Sequence, residues 1–365
     1  MTSGNIKSLE LPDWVNNLLI SLGGLRKLDP VGLSDIGNTD IDCLCVYEDK
    51  YLEHKKLLVE ALKQGTLRSL VIFNTHVFLL DSQTLDELDN LSKKFDIHLL
   101  AQGYYAKQYA NLRVHHFEME EHFISHHVNL LLTNRLQSRK KVQKTFLMQI
   151  VNKDNFRNTV IDAVAKSGIQ ADVLTPSAKT SSELISLKEN FFKNIKTDYG
   201  NNLDIMSALD GFGSGLPNFE LYEKTFCEIV AETLNLSGHA YMFTEKTFRP
   251  IAFGVPIIFL GSQDMYKTLL QYGYKFYDEN FYQHWHDTKL SLSDKVKHLI
   301  SFLQHIKESV GARSQMQSVA ETNMQVFWNE RKLYYYKNWN DIFDKICAGK
   351  NINRVIDVVY GELNF

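Results

Sequence analysis

The sequence predicts an α/β protein made of two Rossmann-like units followed by C-terminal helices. Three observations carry that reading: short apolar runs alternate with amphipathic stretches over the first 130 residues, the alternation restarts at residue 145, and a basic segment separates the two series. Apolar runs spaced by helix-length segments are the pattern of a parallel sheet covered on both faces, since a strand buried on both sides needs no polar alternation. With 365 residues, 44% of them hydrophobic and 23% charged, the chain is long enough for two domains of ordinary size.

In the first series the strand candidates are IDCLCVYE (41–48), RSLVIFN (68–74), HVFLLD (76–81) and DIHLLAQG (96–103). Cys43 and Cys45, two apart, point to one face of the first. The segment TNRLQSRKKVQK (133–144) gathers Arg135, Arg139, Lys140 and Lys141 between apolar runs and reads either as a solvated connector or as a phosphate-contacting patch. It sets the expected boundary between a domain at 1–140 and a second at 141–345, with a tail at 346–365 packing back as a helix.

The second series opens with TFLMQIV (145–151), and NKDNFRN reads as a loop into the helix TVIDAVAKSG, whose Gly168 suits a C-terminal cap. FCEIVAET (226–233) and VPIIFLG (255–261) read as strands, and a helix runs from about Gln263 until Gly273 stops it. His284, Trp285 and His286 fall in an expected loop that reads either as packing or, since it follows a strand end, as a contact to a ligand's sugar or base, and SLSDKVKHLISFLQHIKESVG shows helical spacing after a Ser/Asp start.

Net charge of −3 gives no global field for nucleic acid or an anionic membrane, and no apolar run reaches the length of a membrane span. The N-terminal MTSGNIKSLELPDWVNN has neither basic flank nor apolar core, so the chain reads as cytoplasmic. Cys43, Cys45, Cys227 and Cys347 lack metal-ligand spacing and read as buried free thiols.

One stretch points to chemistry: FTEKTFRPIAFGVPIIFLG, residues 243–261, places charged residues at the mouth of a buried strand. Thr244 is a good N-cap, Glu245 to Phe253 can form a short helix, and Gly254 can end it. Pro250 sits awkwardly, because in a helix interior it removes a backbone bond and costs about 3 kcal/mol. Free amides near Thr244 with Lys246 and Arg249 on one face make a field suited to a diphosphate, while Glu245 suits a ribose diol. The bland alternative is a surface ion pair between Glu245 and Arg249, worth about 0.3 to 0.5 kcal/mol.

The run from 226 to 262, with Glu232, FTEK and RPIAFGVPIIFLG in order, resembles the donor-site region of fucosyltransferase-type glycosyltransferases, and its spelling is closer still to glycosyltransferase-like proteins of tailed phages. Glu-Thr stands at 232–233 where that family usually has Glu-Asn. The resemblance implies the GT-B architecture, an N-terminal acceptor domain, a C-terminal donor domain, a nucleoside-diphosphate sugar as donor, an inverting course and no obligatory metal or other cofactor. It also implies that Glu245 holds the ribose and that Lys246, Arg249 and Arg157 hold the diphosphate. Asn152 would sit beside the phosphates, Thr244 would open the motif, and Glu232 would meet the sugar or the motif's own backbone.

The acceptor side is open in the sequence. Asp40 and Asp42 spell a D-x-D that also fits cation binding, and Asp40, Asp42, His115 and His116 are candidate general bases, beside His76, Asp81 and Glu118. The phage-like spelling implies a hydroxymethylated pyrimidine in DNA as acceptor, met by a basic face at Arg135 to Lys144 with Lys107 and Arg113; a surface glycan or lipopolysaccharide is the alternative. A non-catalytic module that binds a nucleotide or glycan is the reading from another class.

Overall fold

The computed structural model describes residues 6–9, 29–30, 32–74, 80–105, 107–116, 118, 142–149, 155–169, 173–174, 222, 224–232, 235–236 and 240–331. The strands are β1 (Ile6–Leu9), β2 (Asp29–Pro30), β3 (Cys43–Tyr47), β4 (Ser69–Asn74), β5 (Asp96–Ala101), β6 (Tyr104–Tyr105), β7 (Arg113–His116), β8 (Lys144–Leu147), β9 (Val173–Leu174), β10 (Thr225–Val230), β11 (Asn235–Leu236), β12 (Ala240–Tyr241) and β13 (Ile257–Phe259). The helices are α1 (Glu48–Gln64), α2 (Ser82–Ser92), α3 (Asn155–Lys166), α4 (Glu245–Ala252), α5 (Gln263–Gln271), α6 (Glu279–His286), α7 (Leu292–Glu308) and α8 (Val310–Gln325). The chain is therefore α/β with parallel sheets, and it divides into two compact units: Met1–Met119 with Leu236–Met242 and Leu333–Phe365, and Glu120–Asn235 with Phe243–Lys332. The sequence boundary near 140, the basic cluster Arg135, Arg139, Lys140 and Lys141, His76, Asn152 and the tail at 346–365 lie outside the described residues.

In the first unit six strands pair in the order β2-β1-β3-β4-β5-β7, every pair parallel. The winding direction reverses between β1 and β3. β3 and β4 are buried along their whole length, as a doubly covered parallel sheet requires. Tyr51, Leu58 and Leu62 of α1 and Leu85 and Leu88 of α2 close over Leu44, Val46, Leu70, Ile72 and Leu99, each worth about 1.5–3 kcal/mol when fully buried. Cys43 and Cys45 are buried thiols.

The second unit has four parallel strands in the order β13-β10-β8-β9. α3 carries the chain from β8 out to β9, and β10 then lies on the other side of β8, so this sheet reverses between β8 and β10. Phe146, Cys227, Ile229, Ile258 and Phe259 fill its strands with buried apolar side chains. The helical stretch expected over 291–311 is α7, and a second helix, α8, follows it because the Ser309 side chain accepts from Ala312 N at 3.1 Å. Among the described residues no helix is long and apolar enough to cross a membrane.

Candidate functional site

Ligands of open α/β sheets bind beyond the carboxyl ends of the strands where the winding reverses. In the second unit that point is closed by Arg157. The sequence reading put this residue in a loop before a helix starting near Thr159, but α3 begins at Asn155 and takes Arg157 into its first turn. Its side chain is buried and donates from Nε at 3.0 Å and Nη2 at 2.8 Å to Ala231 O, just past β10. Arg157 thus ties the start of α3 to the end of β10.

The motif helix α4 is fixed at both ends. Thr244 is extended at φ −111°, ψ 173°, and its hydroxyl accepts from Lys246 N at 3.4 Å. Glu232 accepts from Thr244 N at 3.0 Å, from Thr244 Oγ1 at 2.8 Å and from Thr247 Oγ1, so this carboxylate clamps the backbone of its own motif. At the far end Gly254 N donates to Ile251 O at 3.1 Å and Val255 N to Pro250 O at 2.8 Å, a Schellman closure that Gly254 permits with φ +60°. Pro250 lies inside α4, and its carbonyl is the acceptor of that closure.

The two motif cations lie close to buried carboxylates. Arg249 is buried and Lys246 half-buried. Burial raises the pKa of Glu232, and its Thr247 and Thr244 bonds and the Lys246 charge oppose the rise. Sequence reasoning missed Glu228, although a carboxylate in the middle of TFCEIV was the available signal. Glu228 is buried and accepts from Tyr222 Oη at 2.9 Å and Gln149 Nε2 at 3.0 Å. Burial pushes its pKa up to about 7, against the pull of Tyr222, Arg249, Gln149 and Lys246. Glu245 is the first helical residue of α4, and its side chain is outside the description.

Beside this clamp lies a groove of about 570 Å³ at the carboxyl ends of β10 and β13. Asn155 and Phe156 at the start of α3, Ser262 and Gln263 at the start of α5, Glu232, Gly261, His286 and Lys295 line it. Helix N-termini present free N–H groups to an anion, and Ser262 already caps α5 by accepting from Met265 N at 3.2 Å. His286 belongs to α6 and not to a loop, because the Asp278 side chain caps that helix by accepting from Asn280 N and Phe281 N. His286 is 9% exposed, and its Nε2 has no hydrogen-bond partner among the described residues. Burial, then the Lys295 and Lys267 charges, lower its pKa to about 4, so the ring is neutral at physiological pH. His286 was a sequence candidate for touching the donor, whereas Lys295 escaped the sequence reading because only the fold brings 295 to 232.

In the first unit the candidate bases separate by sheet edge. Asp40 and Asp42 precede β3 and lie at the amino edge, where Asp42 accepts from Arg68 Nη1 at 2.8 Å. His115 pairs through Nε2 with His98 Nδ1 at 3.0 Å, and His98 Nε2 meets Asp96 at 3.2 Å. Asp81 caps α2 by accepting from Thr84 N at 2.7 Å. His116 ends β7 at the carboxyl edge. Its Nδ1 lies 2.8 Å from Gly103 O, and since a carbonyl only accepts, Nδ1 carries the proton and Nε2 keeps its lone pair. Burial lowers its pKa below the ordinary 6.5, with the Gly103 bond opposing, so the ring is neutral at pH 7. It stacks on Tyr104 at 4.7 Å, and Tyr104 stacks on Tyr241 at 5.0 Å. Comparison with protein-family models, with curated proteins and with solved structures finds no match for the chain.

Proposed function

We propose that the protein is a nucleotide-sugar-dependent glycosyltransferase of GT-B architecture, moving a sugar from a nucleoside diphosphate to an acceptor hydroxyl. The observation that supports this best is the second unit's groove, where two helix N-termini and Lys295 meet beside the clamped Thr-Glu-Lys helix. In this reading the diphosphate is held by the α3 and α5 amides with Lys295 and Lys246, charges fixed before the leaving group forms, which is how a preorganised site stabilises it. Glu245 binds the ribose, as the fucosyltransferase resemblance implies. Arg157 and Glu232 act as positioning residues, since their polar atoms already hold Ala231 and the α4 N-terminus. His116 is the general base, its Nε2 lone pair accepting the acceptor's proton.

The test is a thermal-shift and turnover panel with UDP, GDP, CDP and their sugars. A ligand at about 100 times its Kd stabilises by about 2.7 kcal/mol, so one nucleotide should raise the melting temperature and its sugar should be consumed. Lys246→Ala should weaken that nucleotide about tenfold and leave the ligand-free melting temperature within the equivalent of about 0.5 kcal/mol. No shift with any nucleotide would defeat the proposal, and a shift without transfer or hydrolysis would leave a binding module.

A further inference from the structure

The second unit has another groove, of about 640 Å³, between α5 and α6, and the nucleotide reading does not use it. Helical spacing explains which residues face it. Gln263, Tyr266, Lys267 and Leu270 lie at i, i+3, i+4 and i+7 of α5. Glu279, Tyr282, Gln283 and His286 repeat that spacing on α6. Two helices that closed on each other would put apolar side chains at these positions. Here Lys267, Glu279 and Gln283 are exposed and Leu270 is 44% exposed, so the seam stays open.

The floor of this groove is aromatic and fixed. Tyr282 is buried, and its hydroxyl accepts from Phe259 N at 3.1 Å, which ties it to β13. Tyr266 stacks on Tyr282 with ring centroids 4.8 Å apart and lies 4.8 Å from the His286 ring. His286, 9% exposed, lines this groove as well as the one beside Glu232, and its Nε2 makes no hydrogen bond among the described residues. A buried polar atom left unpaired costs stability that a ligand's polar group restores. Above the floor stand two opposite charges. Lys267 and Glu279 make no ion pair with each other or with another described residue. Burial, then the Glu279 charge, raise the pKa of the Tyr266 phenol, and Lys267 acts on His286 after burial and Lys295, so both charges lie within reach of the rings.

We propose that the groove between α5 and α6 binds a small zwitterion, an α-amino acid with an apolar side chain. Its carboxylate meets Lys267 and an N–H from His286 Nε2, its ammonium lies beside Glu279 over the Tyr266 ring, and its side chain packs on Leu270. A lone anion would be opposed by Glu279 and Asp287, and a lone cation by Lys267, whereas a ligand with one charge of each sign is opposed by neither. The inference stands apart from the transferase reading, in which none of these side chains holds the nucleotide.

The experiment is calorimetry and saturation-transfer NMR on the full chain without nucleotide. The probes are L-leucine, L-methionine and L-phenylalanine, each beside its N-acetyl form, which lacks the ammonium, and its amide, which lacks the carboxylate. At least one amino acid should bind, and its two blocked forms about tenfold more weakly. Lys267→Met and Glu279→Gln each remove one charge at an exposed position, so both should melt as the parent does and weaken the amino acid about tenfold. Lys267→Met should leave the residual binding of the amide unchanged, and Glu279→Gln that of the N-acetyl form, since each probe already lacks the group that the variant would fail to meet. Absence of binding by all three amino acids, blocked forms that bind as well as the free ones, or binding untouched by both variants would each overturn the proposal. Displacement of the bound amino acid by UDP or GDP would place it in the groove beside Glu232 and overturn it too.

Discussion

The two sheets share a winding pattern and differ in what stands at their carboxyl edges. In both, the second strand in sequence lies outside the first and the third begins the other side. Yet the first unit ends its strands with Glu48, Asn74, Gln102 and Glu118, all buried, while the second surrounds its edge with Lys295, a neutral His286 and two helix starts. The second unit does carry a carboxylate there, Glu232, but three donors from Thr244 and Thr247 occupy it. The same backbone pattern therefore supports opposite local charge, and the few residues just past each strand decide which ligand chemistry an edge can meet.

The sharpest way to break the comparison is to remove the residue that closes the second sheet's crevice. Arg157→Met keeps the apolar stem but strips both donors from Ala231 O, leaving a buried carbonyl unsatisfied. The expected loss is about 3 kcal/mol in urea unfolding, together with the nucleotide-induced melting shift. A variant that melts like the parent would mean that Ala231 finds water and that the crevice needs no such tie.

Much of this was legible in the sequence wherever the decisive interactions are local. The strands stood out because both faces of β3 and β4 are covered, and the α4 caps stood out because Thr244 and Gly254 lie within ten residues of each other. Pro250 pointed to a kink or a later start, yet it stands inside α4, where the helix runs from Glu245 to Ala252. His286 was misplaced because Asp278 starts its helix from a left-handed conformation, φ 61°, that sequence rarely signals. What stayed hidden was convergence: Glu228 with Gln149 and Tyr222, or Lys295 with Asn155, are neighbours through the fold and not through spacing. The resemblance alone placed Arg157 beside a ligand, and nothing in its local sequence signals the bond to a backbone carbonyl 74 positions away.

A milder way to sharpen the comparison reverses the charge of the second edge without touching its frame. Lys295 is half-buried on α7, and Lys295→Glu should leave the fold within about 0.5 kcal/mol of the parent. The same change should weaken a nucleoside diphosphate by well over tenfold, with the remaining affinity less sensitive to salt, since the lost attraction is screened by ions. Unchanged affinity would move the anion site away from this groove.

The smallest expected effect concerns the buried carboxylate under the motif. Glu228 has a folded pKa pushed up from the ordinary 4.5 to about 7, so between those values the folded chain holds a proton that the unfolded chain releases. Its contribution is therefore fully present below pH 4.5 and is lost as pH rises through about 7. Glu228→Gln mimics the protonated form and keeps an oxygen for Tyr222, so its melting temperature should match the parent near pH 5 and exceed it at pH 8. Equal melting at both pH values would mean that Arg249 and Lys246 hold Glu228 ionised in the fold, and the motif's cations would then be committed to an internal carboxylate and withdrawn from any ligand.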